Sequence, residues 1–377
     1  MLKFFKKNKK EKTSLLANSK KSSDTKFYKI KVKEVRRETE DAVSVAFETP
    51  ENLMSTFAFM PGQYLTLKAK VKGEELRRSY SICSAPQEGE LRVAIKQIEG
   101  GKFSTYANQT LKEGDTLEAM PPMGNFKWSQ GAKASHLVGW AAGSGITPMM
   151  SIAKTVLQSD KHGTFTLFYG NKNSNSIIFK DELEDLKNSF VDRLEVHHIL
   201  SREDQGSDAT KGRIDGEKVK AFNDKFFDVN TTTGHYLCGP LGMIESVTET
   251  LQELGTSKDN IHFELFNTTA SPDAKQKETP SASSSGLSSV TVVLDGEETH
   301  FEMKGNEYLL DAALDAGADI PYACKGAVCC TCRAKVLEGS SEMVMNYALV
   351  DEEVKEGYIL TCQAHATSEK LVVSFDE

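Results

Sequence analysis

Residues 318–338 read ADIPYACKGAVCCTCRAKVLE, and 30 positions after Cys332 the chain places Cys362 in ILTCQA. The spacing Cys324-x4-Cys329-x2-Cys332 with a remote fourth cysteine meets the demand of a two-iron, two-sulfur cluster. Each iron needs two thiolates; a tight loop supplies three of the four, and a strand end brings the last. Small residues at Gly326 and Ala327 let backbone N–H groups approach the sulfurs and stabilise added negative charge. Cys330 is then a neighbour of the ligands and not one of them. A structural zinc site would prefer two separated C-x2-C pairs. The expected metal ligands are Cys324, Cys329, Cys332 and Cys362.

Around that loop, residues 290–377 read as one small α+β module: the hairpin pattern VTVVLDGEETHFEMKG, the amphipathic helix YLLDAALDAG, the cysteine loop and a closing strand LVVSFD. Upstream, residues 267–289 (NTTASPDAKQKETPSASSSGLSS) carry Ser, Thr, Ala, Pro and Lys in place of any core-forming pattern, which reads as a flexible linker. Residues 27–130 hold five short strand patterns, FYKIKVKEVRR, AVSVAFETP, QYLTLKAKV, RRSYSICS and ELRVAIKQI, separated by turn signals; this spacing suggests an antiparallel barrel. From residue 131 to 266 strand and helix patterns alternate, from HLVGWAA and PMMSIAKTVLQ to HYLCGP and LGMIESVTETLQEL, which predicts a parallel sheet covered by helices on both faces. The chain is therefore expected to be multidomain.

With 377 residues, 39% apolar and 27% charged, the sequence can bury real cores and is not globally disordered. Its apolar runs are far shorter than the roughly 20 residues needed to span a bilayer. The net charge of −8 hides an asymmetry: residues 1–26 carry nine Lys against Glu11 and Asp24, whereas residues 289–377 carry 17 acidic and 6 basic residues. The Lys-rich opening reads as a solvated tail, lacking the pattern of a secretory signal. The acidic end suggests a basic partner surface. Seven cysteines, an odd number of which four crowd into residues 324–332 while Cys83 and Cys238 stand alone, argue for a metal site in a reducing compartment over a disulfide framework, so the cytoplasm is the expected location.

Two further constellations carry chemistry. Gly143-Ser144-Gly145-Ile146-Thr147-Pro148 lies between the strand HLVGWAA and a helix. Glycine there permits close approach to a pyrophosphate, and the helix start supplies N–H groups. Pro148 replaces the third Gly of the G-x-G-x-x-G fingerprint, and an ordinary strand-to-helix turn remains the alternative. Cys238-Gly239-Pro240 follows another strand. In the barrel segment, Arg78-Ser79-Tyr80-Ser81 is followed by Gly100-Gly101-Lys102-Phe103-Ser104. An aromatic ring can stack on an isoalloxazine, Ser81 can bond its edge, and Arg78 with the Gly-Gly loop can hold phosphate.

In combination and order, these motifs resemble the ferredoxin-NADP reductase superfamily, and among its members the oxygenase reductases with a C-terminal plant-type ferredoxin domain. Within that family, ELRVAIKQIEGGKFSTYA, AAGSGITPM, GRIDGEK and the cysteine loop are similar to the reductases of phenylacetyl-CoA epoxidases, which act in phenylacetate catabolism. The resemblance implies an FAD-binding β-barrel, an NAD(P)-binding α/β domain and a β-grasp [2Fe-2S] domain, with FAD favoured over FMN on this ground alone. It implies flavin contacts at Arg78, Ser79, Tyr80, Ser81, Ile95, Lys96, Gly101, Lys102, Phe103 and Ser104. Nucleotide contacts fall on Gly143, Ser144, Gly145, Thr147, Pro148, Cys238, Gly239 and Pro240. Thr147 and Cys238 would flank the flavin ring and the nicotinamide. Glu264 and Phe266 of HFELF match the family's terminal Glu-x-aromatic, with Phe266 against the flavin. The His residues, including His197 and His198, read as structural.

The expected activity is electron transfer from NAD(P)H through a flavin to the cluster and on to an oxygenase. A hydride donor delivers electrons in pairs and a cluster accepts them singly, so a flavin must stand between. A Rieske dioxygenase, another di-iron oxygenase or a hybrid-cluster protein would suit the same donor-side motifs, and a redox-sensing role is a further alternative. Ser201 and Arg202, at the end of LEVHHILS, offer a hydroxyl and a guanidinium for a 2′-phosphate, so NADPH is preferred over NADH; the alternative is a solvated turn with Arg202 in a surface ion pair to Glu203 or Asp204.

Overall fold

In a computed structural model, residues 26–129, 131, 135–266 and 286–377 are described. The Lys-rich tail, apart from Lys26, and most of the segment read as a linker lie outside the described residues. The remainder of that segment differs from its reading: the first strand of the iron-sulfur module begins at Leu287, with Ser288 buried.

Six antiparallel strands form the first unit: β1 (Tyr28–Thr39), β2 (Ala42–Glu48), β3 (Tyr64–Val71), β4 (Glu74–Ser81), β5 (Leu91–Lys96) and β6 (Thr116–Ala119), in sheet order β4-β3-β6-β1-β2-β5. A bridge between Ile82 and Val93 joins the two edges and closes the sheet into a barrel. Period-2 alternation sorts each strand. On β5, Leu91, Val93 and Ile95 enter the barrel core. Helix α1 (Lys102–Gln109) packs on β5, where the buried Asn108 amide donates to the Ile95 carbonyl at 3.0 Å.

The second unit is a parallel sheet ordered β11-β10-β7-β8-β9, made of β7 (His136–Ala142), β8 (Thr164–Asn171), β9 (Leu194–Leu200), β10 (Gly234–Cys238) and β11 (Ile261–Glu264). Alternation again divides the side chains. Leu137, Phe165, Leu167 and Tyr169 pack with α2 (Ile146–Ser159) and α3 (Lys180–Ser189) on one face. Val138, Trp140, Phe168 and Leu237 pack with α4 (Gly216–Phe222) and α5 (Leu241–Glu253) on the other. Trp140 and Phe168 stack at 4.4 Å between ring centroids. The two units are locked together through α2. Its buried Lys154 is ion-paired with Glu88 of the barrel and Glu182 of α3, as a buried charge requires, and Ser151 donates to the Ser84 carbonyl at 2.7 Å.

The third unit is a mixed five-stranded sheet, β13-β12-β18-β14-β16, with a two-stranded ribbon β15-β17. Its elements are β12 (Leu287–Leu294), β13 (Glu297–Lys304), α6 (Leu309–Asp315), β14 (Arg333–Glu338), β15 (Ser341–Met343), α7 (Asp351–Lys355), β16 (Tyr358–Leu360), β17 (Ala364–Ala366) and β18 (Lys370–Ser374). Strands β12 and β18 run parallel at its centre, and α6 packs across the sheet, which is the β-grasp arrangement expected. This unit sits on the barrel: Arg77 reaches Asp319 at 2.9 Å, and the Asn125 amide donates to Glu353 at 2.7 Å and to the Ala348 carbonyl at 3.3 Å.

Candidate functional site

A cavity of about 540 Å³ opens where the three units meet, within the size range of cofactor sites. Its walls come from every unit: Arg78–Ser81, Lys96 and Gly100–Ser104 of the barrel, Ser144, Thr147 and Glu264–Phe266 of the parallel-sheet unit, and Cys324, Val328 and Cys329 of the iron-sulfur module. Tyr80 packs against Phe103 at 5.6 Å between centroids, making an aromatic wall. The exposed Arg78 guanidinium donates to the Arg77 carbonyl at 2.7 Å and forms no ion pair among the described residues. Lys102 is ion-paired with Glu74. Gly101 is required by close packing, since a Cβ there would lie 2.4 Å from Ser104 Oγ. An apolar wall with a cationic, hydroxyl-lined rim fits a flavin and its phosphate.

Of the sequence-predicted flavin contacts, Ile95 is not at the cavity. It is fully buried in the barrel core, and strand parity instead turns its neighbours Ala94 and Lys96 to the cavity wall.

The far wall is built by the β10–β11 register, which sets Cys238 beside Glu264. Ser81 donates to Glu264 at 2.8 Å across the two units. Enclosure pushes the Glu264 carboxyl up to about 8, against the opposing effect of the Ser81 hydrogen bond. This direction favours its protonated form. Burial, with Glu264 adding to it, raises the fully buried Cys238 thiol and keeps it neutral. Thr147 donates back to the Ser144 carbonyl at 3.0 Å, and Phe266 closes the same wall.

The remaining nucleotide candidates lie outside this cavity, along the carboxyl edge of the parallel sheet. Gly143, after β7, has φ +55° with open space where a side chain would stand, as a phosphate-facing turn needs. Gly145 differs from its reading: a Cβ there would lie 2.0 Å from the Cys238 carbonyl oxygen, so this glycine lets two strand ends approach each other. A Cβ at Gly239 would meet the flexible end of the Met243 side chain, at 2.6 Å. Pro148 is buried in the first turn of α2, and Pro240 precedes α5. Ser201 and Arg202 are exposed just past β9, three strands along from β10 on the same edge. Glu203 accepts from Ser174 at 2.8 Å and Asp204 pairs with Lys211 at 3.0 Å, and Arg202 has no ion pair among the described residues.

In the cysteine loop, Cys329 Sγ lies 3.2 Å from Cys324 Sγ, and Cys362 hydrogen-bonds both Cys324 and Cys332. Cys324 and Cys332 are lowered by hydrogen bonds from Cys329 and Cys362, which are raised in turn. The four thiols are thus linked in one run, Cys329 to Cys324 to Cys362 to Cys332, which gathers four sulfur donors at one place. Lys325 and Ala327 adopt positive φ, turning the Gly326 N–H onto Cys324 Sγ at 3.3 Å. Val328 N–H also reaches Cys324, and Ala327 N–H reaches Cys362. Cys330 points away, donating to the Ala348 carbonyl at 3.3 Å. The donor set and its amides fit the cluster.

Sequence reasoning missed Tyr64, which lines the cavity and contacts the cysteine loop, and the docking residues Arg77 and Asn125. The only sequence signal at Tyr64 is its place on a strand beside the RSYS strand. His197 stacks on Phe168 at 5.0 Å between ring centroids, and His198 lies 5.9 Å from the Tyr169 ring.

Comparison with known proteins gives the same three parts. Residues 22–128 match an oxidoreductase FAD-binding domain, residues 140–249 an oxidoreductase NAD-binding domain, and residues 292–367 a 2Fe-2S iron-sulfur cluster binding domain. The chain is 43% identical to one of the subunits of 1,2-phenylacetyl-CoA epoxidase of Escherichia coli, over 93% of this chain and 98% of that protein. It is 31% identical to the ferredoxin reductase component of 3-ketosteroid-9-alpha-monooxygenase of Rhodococcus rhodochrous, over 91% and 95%. Its fold matches that of phthalate dioxygenase reductase with a TM-score of 0.56 at 24% identity, covering 92% of this chain and 98% of the other.

Proposed function

The chain belongs to the family of oxygenase reductases that join FAD-binding, NAD-binding and 2Fe-2S domains in one polypeptide, and from that premise we propose which nucleotide feeds it, which residues hold its cofactors and which oxygenase it serves. Its function is to pass electrons from a pyridine nucleotide through FAD to a [2Fe-2S] cluster for an oxygenase. The observation that carries this reading is a single cavity walled by all three units, two cluster ligands included. Bound FAD accepts electrons in pairs and releases them one at a time, which the cluster requires. The protein's own groups do the rest. Tyr80 and Phe266 supply aromatic wall to the ring space, Arg78 and Ser104 take phosphate charge, and Ser81 with Glu264 holds a proton at the buried edge.

NADPH is the proposed donor. A 2′-phosphate needs a cation that is not already neutralised, and with Glu203 held by Ser174 and Asp204 by Lys211, Arg202 stands ready beside Ser201. A charge-assisted hydrogen bond of about 1.5–3 kcal/mol corresponds to roughly 10- to 150-fold in kcat/KM. Arg202→Ala should remove that much of the NADPH over NADH preference; an unchanged ratio refutes the assignment.

The proposed acceptor is the oxygenase of phenylacetyl-CoA epoxidation, supported by the identity to the Escherichia coli protein along nearly the whole chain. We place the protein in the cytoplasm, where the cluster thiols stay reduced. No helix among the described residues is long and apolar enough to cross a membrane. The test is reconstitution: the holoprotein, NADPH and the purified epoxidase oxygenase components should turn over phenylacetyl-CoA. Oxidation of NADPH with no epoxide formed would refute this acceptor.

A further inference from the structure

Between the flavin cavity and the cysteine loop lies a seam of hydroxyls from two units far apart in the sequence. Tyr64 on β3 is buried, its ring packed on Ala323 and Cys329. Gly124 makes room for it, since a Cβ there would lie 3.0 Å from that ring. Its hydroxyl accepts the Cys330 N–H at 2.9 Å. One residue on, the buried Thr331 hydroxyl meets Thr66 Oγ1 at 3.1 Å, and Thr66 meets Ser79 Oγ at 3.1 Å on the neighbouring strand. A longer contact of 3.4 Å joins Tyr64 Oη to Thr331 Oγ1.

We propose that Tyr64 and Thr66 are positioning residues for the electron step from flavin to cluster, fixing the stretch between ligands Cys329 and Cys332 against the cavity wall through the Cys330 N–H and the Thr331 hydroxyl. The orientation of the loop supports this. Its Gly326, Ala327 and Val328 amides face the sulfurs, whereas the Cys330 amide turns outward to the barrel. That amide is buried, and without Tyr64 Oη it would have no acceptor, a state native structures avoid. Tyr64, Cys324 and Cys329 line the same cavity, so the seating of this loop sets the gap that electrons cross. Electron transfer falls steeply with distance, so a small slip of the loop slows it strongly. Arg77 and Asn125 fasten the module elsewhere; the hydroxyl seam lies at the crossing point itself.

The test uses the full-length holoprotein with Tyr64→Phe, Thr66→Val and Thr66→Ser, all close in shape to the native side chains. Tyr64→Phe should raise hydrogen–deuterium exchange at the Cys330 amide at least 10-fold. In Thr66→Val, anaerobic mixing with NADPH should bleach the flavin within twofold of the wild-type rate while cluster reduction slows at least 10-fold, and Thr66→Ser should restore it; in Tyr64→Phe cluster reduction should slow at least 10-fold more than flavin bleaching. Unchanged amide exchange in Tyr64→Phe would overturn the proposal, as would faster exchange with an unaltered electron step. A fall in flavin bleaching equal to the fall in cluster reduction would also overturn it, placing the effect in the flavin site.

Discussion

Replacing Arg77 by alanine should loosen the iron-sulfur module from the barrel without touching a cluster ligand. Three contacts of this buried side chain cross the interface. The ion pair to Asp319 is short at 2.9 Å, but Asp319 is 84% exposed, so screening limits it to about 0.5–1 kcal/mol. The hydrogen bond to the Ile320 carbonyl, long at 3.4 Å, is worth about 0.5 kcal/mol. The guanidinium lies 4.7 Å over the Tyr322 ring, for about 0.5–1 kcal/mol. The pairings with Glu75 and Phe27 stay on the barrel side and do not count toward docking. The sum is about 2 kcal/mol, or roughly 30-fold in the ratio of docked to undocked module. Hydrogen exchange at the Cys330 amide, which is buried by docking, reads that opening directly. Its protection should fall about 30-fold in Arg77→Ala at low salt, and the wild type should lose part of its protection as salt screens the Asp319 pair. Unchanged protection would show that Arg77 does not hold the module to the barrel. An equal loss in the parallel-sheet unit would refute that role as well, by showing general destabilisation.

Cys324→Ser, Cys329→Ser, Cys332→Ser and Cys362→Ser should each lose or grossly perturb the cluster by iron and labile-sulfide analysis, whereas Cys330→Ser should retain two irons, because its thiol faces Ala348. Glu264 should give the fold a pH-dependent weakness: raised to about 8 from 4.5, its carboxyl stays protonated in the native state while the unfolded chain ionises. Stability is then full below about pH 4.5 and falls by up to about 1.4 kcal/mol per unit as pH rises toward 8. Glu264→Gln should flatten that slope in urea unfolding at pH 5 and pH 8, and parallel slopes in the two proteins would refute it. Gly145→Ala should lower the melting temperature and raise the KM for NADPH together, because the new methyl meets the Cys238 carbonyl at 2.0 Å. Gly143→Ala should cost only about 1–2 kcal/mol, from its positive φ in open space.

What the sequence reveals here depends on how local the determining physics is. The cysteine spacing is a local matter of loop geometry, and it alone brings forward Cys324, Cys329, Cys332 and Cys362 as the proposed ligands. The alternation along HLVGWAA and FTLFYG is likewise local, and it sorted Leu137 and Trp140 to opposite faces of the sheet. Parity could have excluded Ile95 from the flavin contacts, since it shares the buried phase of Leu91 and Val93; a resemblance carries a motif over whole and does not mark which side chains point inward. Other features needed the assembled chain. Tyr64 meets Thr331 across 267 positions, and no pattern around either residue announces the other. The true neighbour of Gly145 is a carbonyl on a strand nearly a hundred residues away. Glu264 reads as an ordinary strand residue until β10, Ser81 and the cavity wall enclose it.

Electrons pass from nucleotide to flavin to cluster inside a single chain whose three units share one cavity. Anaerobic single-turnover mixing of the full-length holoprotein with NADPH, following flavin and cluster absorbance at several protein concentrations, tests it most directly. Flavin bleaching should come first, and cluster reduction should follow at a rate independent of protein concentration. Cluster reduction that accelerates in proportion to protein concentration, or that proceeds in protein stripped of its flavin, would contradict it.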